Sequence, residues 1–128
     1  MKLEIGMYVR TKYGRIGKII NIFDVLDVTD IKNPNPLYRY EVDTNYTFDD
    51  EPDGYFKDDI IKASENIIDL IEVGDYVNGS YIQEIISIKN NEMKCMLDSD
   101  YELISTIKNE DIETILTKEQ FSQMEYKI

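Results

Sequence analysis

Leu3-Glu4-Ile5-Gly6-Met7-Tyr8-Val9 returns 68 positions later as Ile71-Glu72-Val73-Gly74-Asp75-Tyr76-Val77: apolar, Glu, apolar, Gly, any residue, Tyr, Val. Agreement of that order marks an internal duplication. Further along, Ile16-Gly17-Lys18-Ile19-Ile20 aligns with Ile82-Gln83-Glu84-Ile85-Ile86 at an offset of 66. Asp59-Ile60-Ile61-Lys62-Ala63 aligns more loosely with Asp111-Ile112-Glu113-Thr114-Ile115 at an offset of 52. A period near 60 is too long for a solenoid unit and fits two copies of a small domain, each marginal alone. The expected organisation is a first repeat over residues 1–66 and a second over 67–128, packed as one pseudo-twofold body. The drop from 66 to 52 gives the first copy 14 more residues, which are expected to enlarge two acidic loops, Asp24 through Pro36 and Asp43 through Asp59.

Inside a copy the period is that of strands. In Leu37-Tyr38-Arg39-Tyr40-Glu41-Val42-Asp43 the apolar side chains Tyr38, Tyr40 and Val42 fall on one face and charged ones mostly on the other, the pattern of a half-buried strand. Twenty isoleucines and ten tyrosines beside a single alanine, Ala63, point the same way, because β-branched and aromatic residues suit pleated surfaces. The fold class is mainly β. One helical signal stands out: Thr117-Lys118-Glu119-Gln120 has the form of a capping box, with Phe121 and Met124 following three apart. It predicts a helix of about two turns, after which Tyr126-Lys127-Ile128 is read as a closing strand.

The stretch Gly6-Met7-Tyr8-Val9-Arg10-Thr11-Lys12-Tyr13-Gly14-Arg15-Ile16-Gly17-Lys18-Ile19-Ile20 resembles the first hairpin of a small SH3-like barrel. It is similar in particular to the KOW motif, in which Gly-x-x-Val leads into a strand, a Gly-containing turn and a second strand with Gly-x-apolar. The second copy keeps the lead-in and lacks the later glycine, so SH3-like is the broader description. What the resemblance implies is two tandem SH3-like small barrels with a short C-terminal helix. Gly6 and Gly14 are expected to supply turn conformations, and Gly17 a bulge or bend. The opening hairpin and the run Thr117-Lys118-Glu119-Gln120-Phe121-Ser122-Gln123-Met124-Glu125-Tyr126-Lys127 also resemble small phage and prophage proteins of low-GC Gram-positive bacteria. That resemblance implies a setting in a host bacterial cytoplasm.

Composition narrows the chemistry. The 128 residues hold no histidine and no tryptophan, which removes the commonest general base and every Ser-His or Cys-His nucleophile. The single cysteine, Cys95, sits in the alternating stretch Met93-Lys94-Cys95-Met96-Leu97 and reads as a core thiol. No dinucleotide-binding or Walker-type glycine pattern occurs, so phosphate cradles are not expected. No catalytic residue and no cofactor is assigned. A lone cysteine and the lack of an apolar leader or an 18-residue apolar run make a soluble cytoplasmic protein the expectation.

Charge then separates two binding readings. Fourteen Lys and Arg stand against 26 Asp and Glu, a net charge of −12 that opposes nucleic acid and anionic membrane over most of the surface. Residues 1–20 are the exception, with five positive charges and one negative. There Arg10, Lys12, Arg15 and Lys18 interleave with Tyr8 and Tyr13, the composition of a nucleic-acid contact, or of cations that pair with acidic loops of the same chain. The enlarged loops supply the opposite candidate: Asp43, Asp49, Asp50, Glu51, Asp53, Tyr55, Asp58 and Asp59, read either as solvated polar loop or as carboxylates that imitate phosphates and engage the basic groove of a host protein. Asp49, Glu51 and Asp53 alternate as calcium ligands do, echoed by Asp98, Asp100 and Glu102, but EF-hand spacing is missing and no metal is assigned. The sequence-level expectation is a non-enzymatic, phage-type inhibitor of the anti-CRISPR kind; a KOW-like nucleic-acid module working through the first hairpin is the alternative.

Overall fold

A computed structural model describes residues 2–27, 35–44, 53–97 and 104–123. The fold is mainly β: two five-stranded antiparallel sheets and one short helix. The chain divides into two compact units, one formed by Met1–Lys12 and Ile16–Glu65, the other by Tyr13–Arg15 and Asn66–Ile128.

In the first unit, β1 (Tyr8–Thr11), β2 (Ile16–Asp27), β3 (Asn35–Asp43), β4 (Asp53–Phe56) and β5 (Ile60–Ser64) lie in the order β4-β3-β2-β1-β5. In the second, β6 (Tyr76–Val77), β7 (Ser80–Lys89), β8 (Glu92–Leu97), β9 (Ser105–Lys108) and β10 (Ile115–Leu116) lie in the order β10-β6-β7-β8-β9. Read by position within each unit, both orders are fourth-third-second-first-fifth. Both also place a 3-10 turn between the fourth and fifth strands, Lys57–Asp59 in one and Asn109–Asp111 in the other.

The correspondence extends to individual hydrogen bonds. Gly6 and Gly74 have φ of 96° and 98°, the left-handed conformation that glycine adopts without a Cβ penalty. Met7 N–H donates to Glu4 O at 3.2 Å, and Asp75 N–H to Glu72 O at 3.1 Å. Gly6 N–H then donates to Ile19 O at 2.8 Å, and Gly74 N–H to Ile82 O at 2.9 Å. Ile82 is therefore the counterpart of Ile19, an offset of 63, and not of Ile16 as the sequence alignment places it. The physical reason is hairpin length. Nine residues separate Tyr8 from its partner Lys18, whereas four separate Tyr76 from Tyr81, because both the paired arms and the turn are shorter in the second copy. Isoleucine recurs so often along both strands that a shifted alignment still matched.

Beyond that hairpin the copies run in parallel. Ile19 pairs with Val42 and Ile22 with Tyr40, as Ile82 pairs with Leu97 and Ile85 with Cys95, and both second strands bulge between those pairs. Closing pairs Tyr8–Ser64 and Val9–Ala63 correspond to Tyr76–Leu116 and Val77–Ile115, at the offset of 52 read for the last segment. The extra length of the first copy is only partly loop. Residues 24–27 and 35–38 extend the β2–β3 hairpin as paired strand, and Asp53, Gly54 and Tyr55 belong to β4.

Each unit has its own core. Val9, Ile19, Tyr40, Val42, Tyr55 and Ile60 are buried together in the first; Ile68, Ile71, Val77, Ile82, Met93 and Cys95 in the second. Gly17 departs from its expected role. The bulge of β2 lies between Ile19 and Asn21, while a Cβ on Gly17 would collide with the Asp43 carbonyl and the Val42 side chain, so glycine there permits close approach of β3. In the second unit the predicted helix is present as α1 (Lys118–Gln123). Gln120 N–H donates to Thr117 Oγ1 at 3.3 Å and Thr117 N–H to Gln120 Oε1 at 3.4 Å, the reciprocal capping box. The buried Asp75 carboxylate accepts from Glu72 N–H at 2.8 Å and from Lys118 N–H at 3.0 Å, joining the repeat's lead-in turn to the start of α1. The reading of Tyr126-Lys127-Ile128 as a strand lies outside the described residues.

Candidate functional site

The hairpin cations are not all at the surface. Tyr8, Arg10, Lys12 and Lys18 belong to the first unit, Tyr13 and Arg15 to the second. Arg10 is 0% exposed, because β1 lies between β2 and β5 and is covered on both faces, and it presents no surface to a phosphate. Lys12 is engaged within the chain: its Nζ is 3.2 Å from Asp59 Oδ1, and its N–H donates to Asp59 O at 2.8 Å. Lys18 sits directly across from Tyr8 with Nζ 5.7 Å from the ring centroid, a cation–π contact. Tyr13 is exposed and Arg15 half-buried.

The acidic candidates are spread over different kinds of position. Asp43 is exposed at the end of β3, across from Lys18, and Asp58 is exposed in the 3-10 turn. Asp59 is structural: besides the Lys12 pair, its Oδ2 accepts from Phe56 N–H at 3.0 Å and closes the turn between β4 and β5. Tyr55 is a core residue of the first unit and is not available as a surface anchor. Asp53 contributes backbone to β4, pairing with Val42. Asp49, Asp50 and Glu51, and the echo at Asp98, Asp100 and Glu102, lie outside the described residues. Among the described residues no group of three His, Cys, Asp or Glu side chains is placed to hold a metal ion. Cys95 is buried in the second core, and burial pushes its thiol above the ordinary cysteine value.

Two surfaces of the first unit escaped the sequence reading. On one, Phe23, Arg39 and Phe56 stand side by side across β2, β3 and β4 and are all exposed. The other is a groove of about 340 Å³ lined by Lys2, Leu3, Ile22, Tyr38, Tyr40 and Lys57. Its floor follows from register: Ile22 and Tyr40 are cross-strand partners, and Tyr38 is two residues further along β3 on the same face. The alternation that buries Tyr40 to 7% exposure carries Tyr38, 46% exposed, past the end of the core. That tyrosine pair was legible as a strand face. The lysines were not, because Lys2 comes from the N-terminal segment and Lys57 from the distant 3-10 turn.

No helix among the described residues is long and apolar enough to cross a membrane. No protein-family model, curated protein or solved structure matches the chain.

Proposed function

We propose that the protein is a non-enzymatic, phage-type inhibitor built from two SH3-like units, whose acidic surface imitates nucleic acid and occupies the basic groove of a host defence protein, in the manner of an anti-CRISPR. The SH3-like assignment rests on the strand order shared by both sheets, with the fifth strand antiparallel to the first and a 3-10 turn before it. For the functional reading, one observation carries most weight: Arg10, Lys12 and Lys18 are engaged within the first unit, Lys12 and Lys18 while still exposed, and exposed acidic side chains outnumber them. Arg10 is buried, Lys12 pairs with Asp59 and Lys18 covers Tyr8, whereas Asp24, Asp43, Asp58, Glu84, Glu92, Glu110, Asp111 and Glu113 are exposed. With a net charge of −12, association with a cationic groove is steered electrostatically and weakens with salt.

The test is an affinity pull-down of the tagged protein from a low-GC Gram-positive lysate in which mobile-element defence systems are expressed, with and without nuclease, read by mass spectrometry. A nuclease-resistant partner with a basic channel, released by moderate salt and lost when Asp43, Asp49, Asp50, Glu51 and Asp58 are reversed to Lys, is the expected result. Recovery of ribosomal or polymerase components that vanish on nuclease treatment would overturn this reading in favour of the KOW-like nucleic-acid module.

A further inference from the structure

The groove on the first unit differs in chemistry from the rest of this acidic chain. Of its six described lining residues two are lysines and none is acidic. The Lys57 ammonium makes no ion pair or hydrogen bond with another described residue, and Lys2 has only an exposed 3.6 Å contact with Glu4. The apolar part of the lining is Leu3 and Ile22, with the half-exposed ring of Tyr38. Tyr40 is more than nine-tenths buried and lines the same groove, yet neither its hydroxyl nor that of Tyr38 bonds to another described residue. The Tyr40 ring is buried while its hydroxyl stays open to solvent, where it can donate to a ligand in the groove.

We infer that this groove is a binding site for a small carboxylate carried on a planar apolar body. The lysine ammonium groups supply charge for the carboxylate, the tyrosine hydroxyls donate hydrogen bonds to its oxygens, and Leu3, Ile22 and the Tyr38 ring cover the apolar part. The volume stands near the lower end of ligand pockets, which run from about 300 Å³ upward, and holds a mono- or bicyclic ring. A single negative charge suits it better than a phosphate dianion, because the net charge of −12 opposes each added charge. This inference is independent of the partner-binding reading, since none of the six residues belongs to the acidic surface.

The experiment is amide-resolved NMR of the uniformly 15N-labelled full chain titrated with indole-3-acetate, with neutral indole-3-acetamide and with uridine 5′-monophosphate. The expected result is saturable shifts at Leu3, Ile22, Tyr38, Tyr40 and Lys57 with the carboxylate, and weaker binding of the amide and of the nucleotide, each by about fivefold or more. Lys57→Gln, at an exposed position, should weaken the carboxylate by about fivefold and leave the amide unchanged. Tyr40→Phe should weaken it while the rest of the spectrum is preserved. No shifts at these amides, equal affinity for carboxylate and amide, shifts confined to other residues, or tighter binding of the nucleotide would each overturn the assignment.

Discussion

At the scale of single residues, the duplicated lead-in has been put to two uses. Met7 and Asp75 occupy the same place, and each side chain turns back to the N–H three residues earlier: Met7 Sδ to Glu4 N at 3.3 Å, Asp75 Oδ2 to Glu72 N at 2.8 Å. The carboxylate alone reaches a second donor, Lys118 N–H. Asp75→Ala leaves two N–H groups without their charged acceptor and should destabilise the protein by about 2–3 kcal/mol in urea denaturation. Gln83 works against the fold, because its Oε1 is buried with no hydrogen-bond partner among the described residues. Replacing it by Met, similar in volume and lacking the stranded oxygen, should raise the urea midpoint by about 1 kcal/mol equivalent. Cys95 makes a pH prediction with a definite sign. Burial disfavours the thiolate, so the folded pKa lies above the ordinary 9.0 and the unfolded chain loses the proton first. Stability from this source is full below pH 9 and falls as pH rises past it; Cys95→Ser should flatten that alkaline decline in urea midpoints measured across pH 8–10. The thiol should react with a disulfide reagent only after unfolding.

Hairpins are the elements at which the two copies diverge. Asn78 and Gly79, both with positive φ, form the two-residue turn that matches the strand twist and closes β6–β7 with the least chain. Asn78 also holds the segment before β10: Oδ1 accepts from Glu113 N–H at 2.8 Å and Thr114 N–H at 3.1 Å, and Nδ2 donates to Asp111 O at 2.8 Å. Asn78→Ala strains the turn and abandons those bonds, and a loss of about 2–3 kcal/mol is expected by thermal unfolding. Asn78→Gly, which tolerates the φ, should recover only the strain component, about 1 kcal/mol, leaving the bonds lost. At α1 the cap is similarly decisive for a helix of six residues, and Thr117→Ala should cost about 1 kcal/mol. That the capping box was legible in four letters reflects its locality: donor and acceptor are three residues apart, and no distant contact is needed to specify them.

For the whole molecule, charge and duplication pull in different directions. Each copy is near the size at which one core barely stabilises a domain, and the net charge of −12 adds repulsion. Added salt should therefore raise the melting temperature by screening that repulsion while weakening attachment to a cationic partner, a pair of opposite trends measurable in one buffer series. The acidic stretches that dominate the charge were legible at once, but their use was not. Tyr55 and Asp59 sit in the same run as Asp58, and only the strand pairing shows that the first is core, the second ties Lys12, and the third is exposed.

The sequence by itself determined the properties that depend on neighbours along the chain. These are the strand periodicity, the glycine turns repeated at Gly6 and Gly74, the core position of Cys95, the cap of α1 and the excess of acid. Tertiary structure decided what depends on which strand lies beside which. Arg10 reads as one of four hairpin cations until β1 is found inside its sheet with Val9 and Arg10, on opposite faces, both fully buried. Ile82 reads as the counterpart of Ile16 until the carbonyl that receives Gly74 N–H is seen to be its own. The groove at Lys2, Ile22, Tyr40 and Lys57 shows locally only its tyrosine strand face, because it is made by four segments that meet only when the sheet forms. Periodicity records which face of a strand is apolar; it carries no information on what another part of the chain will lay against that face.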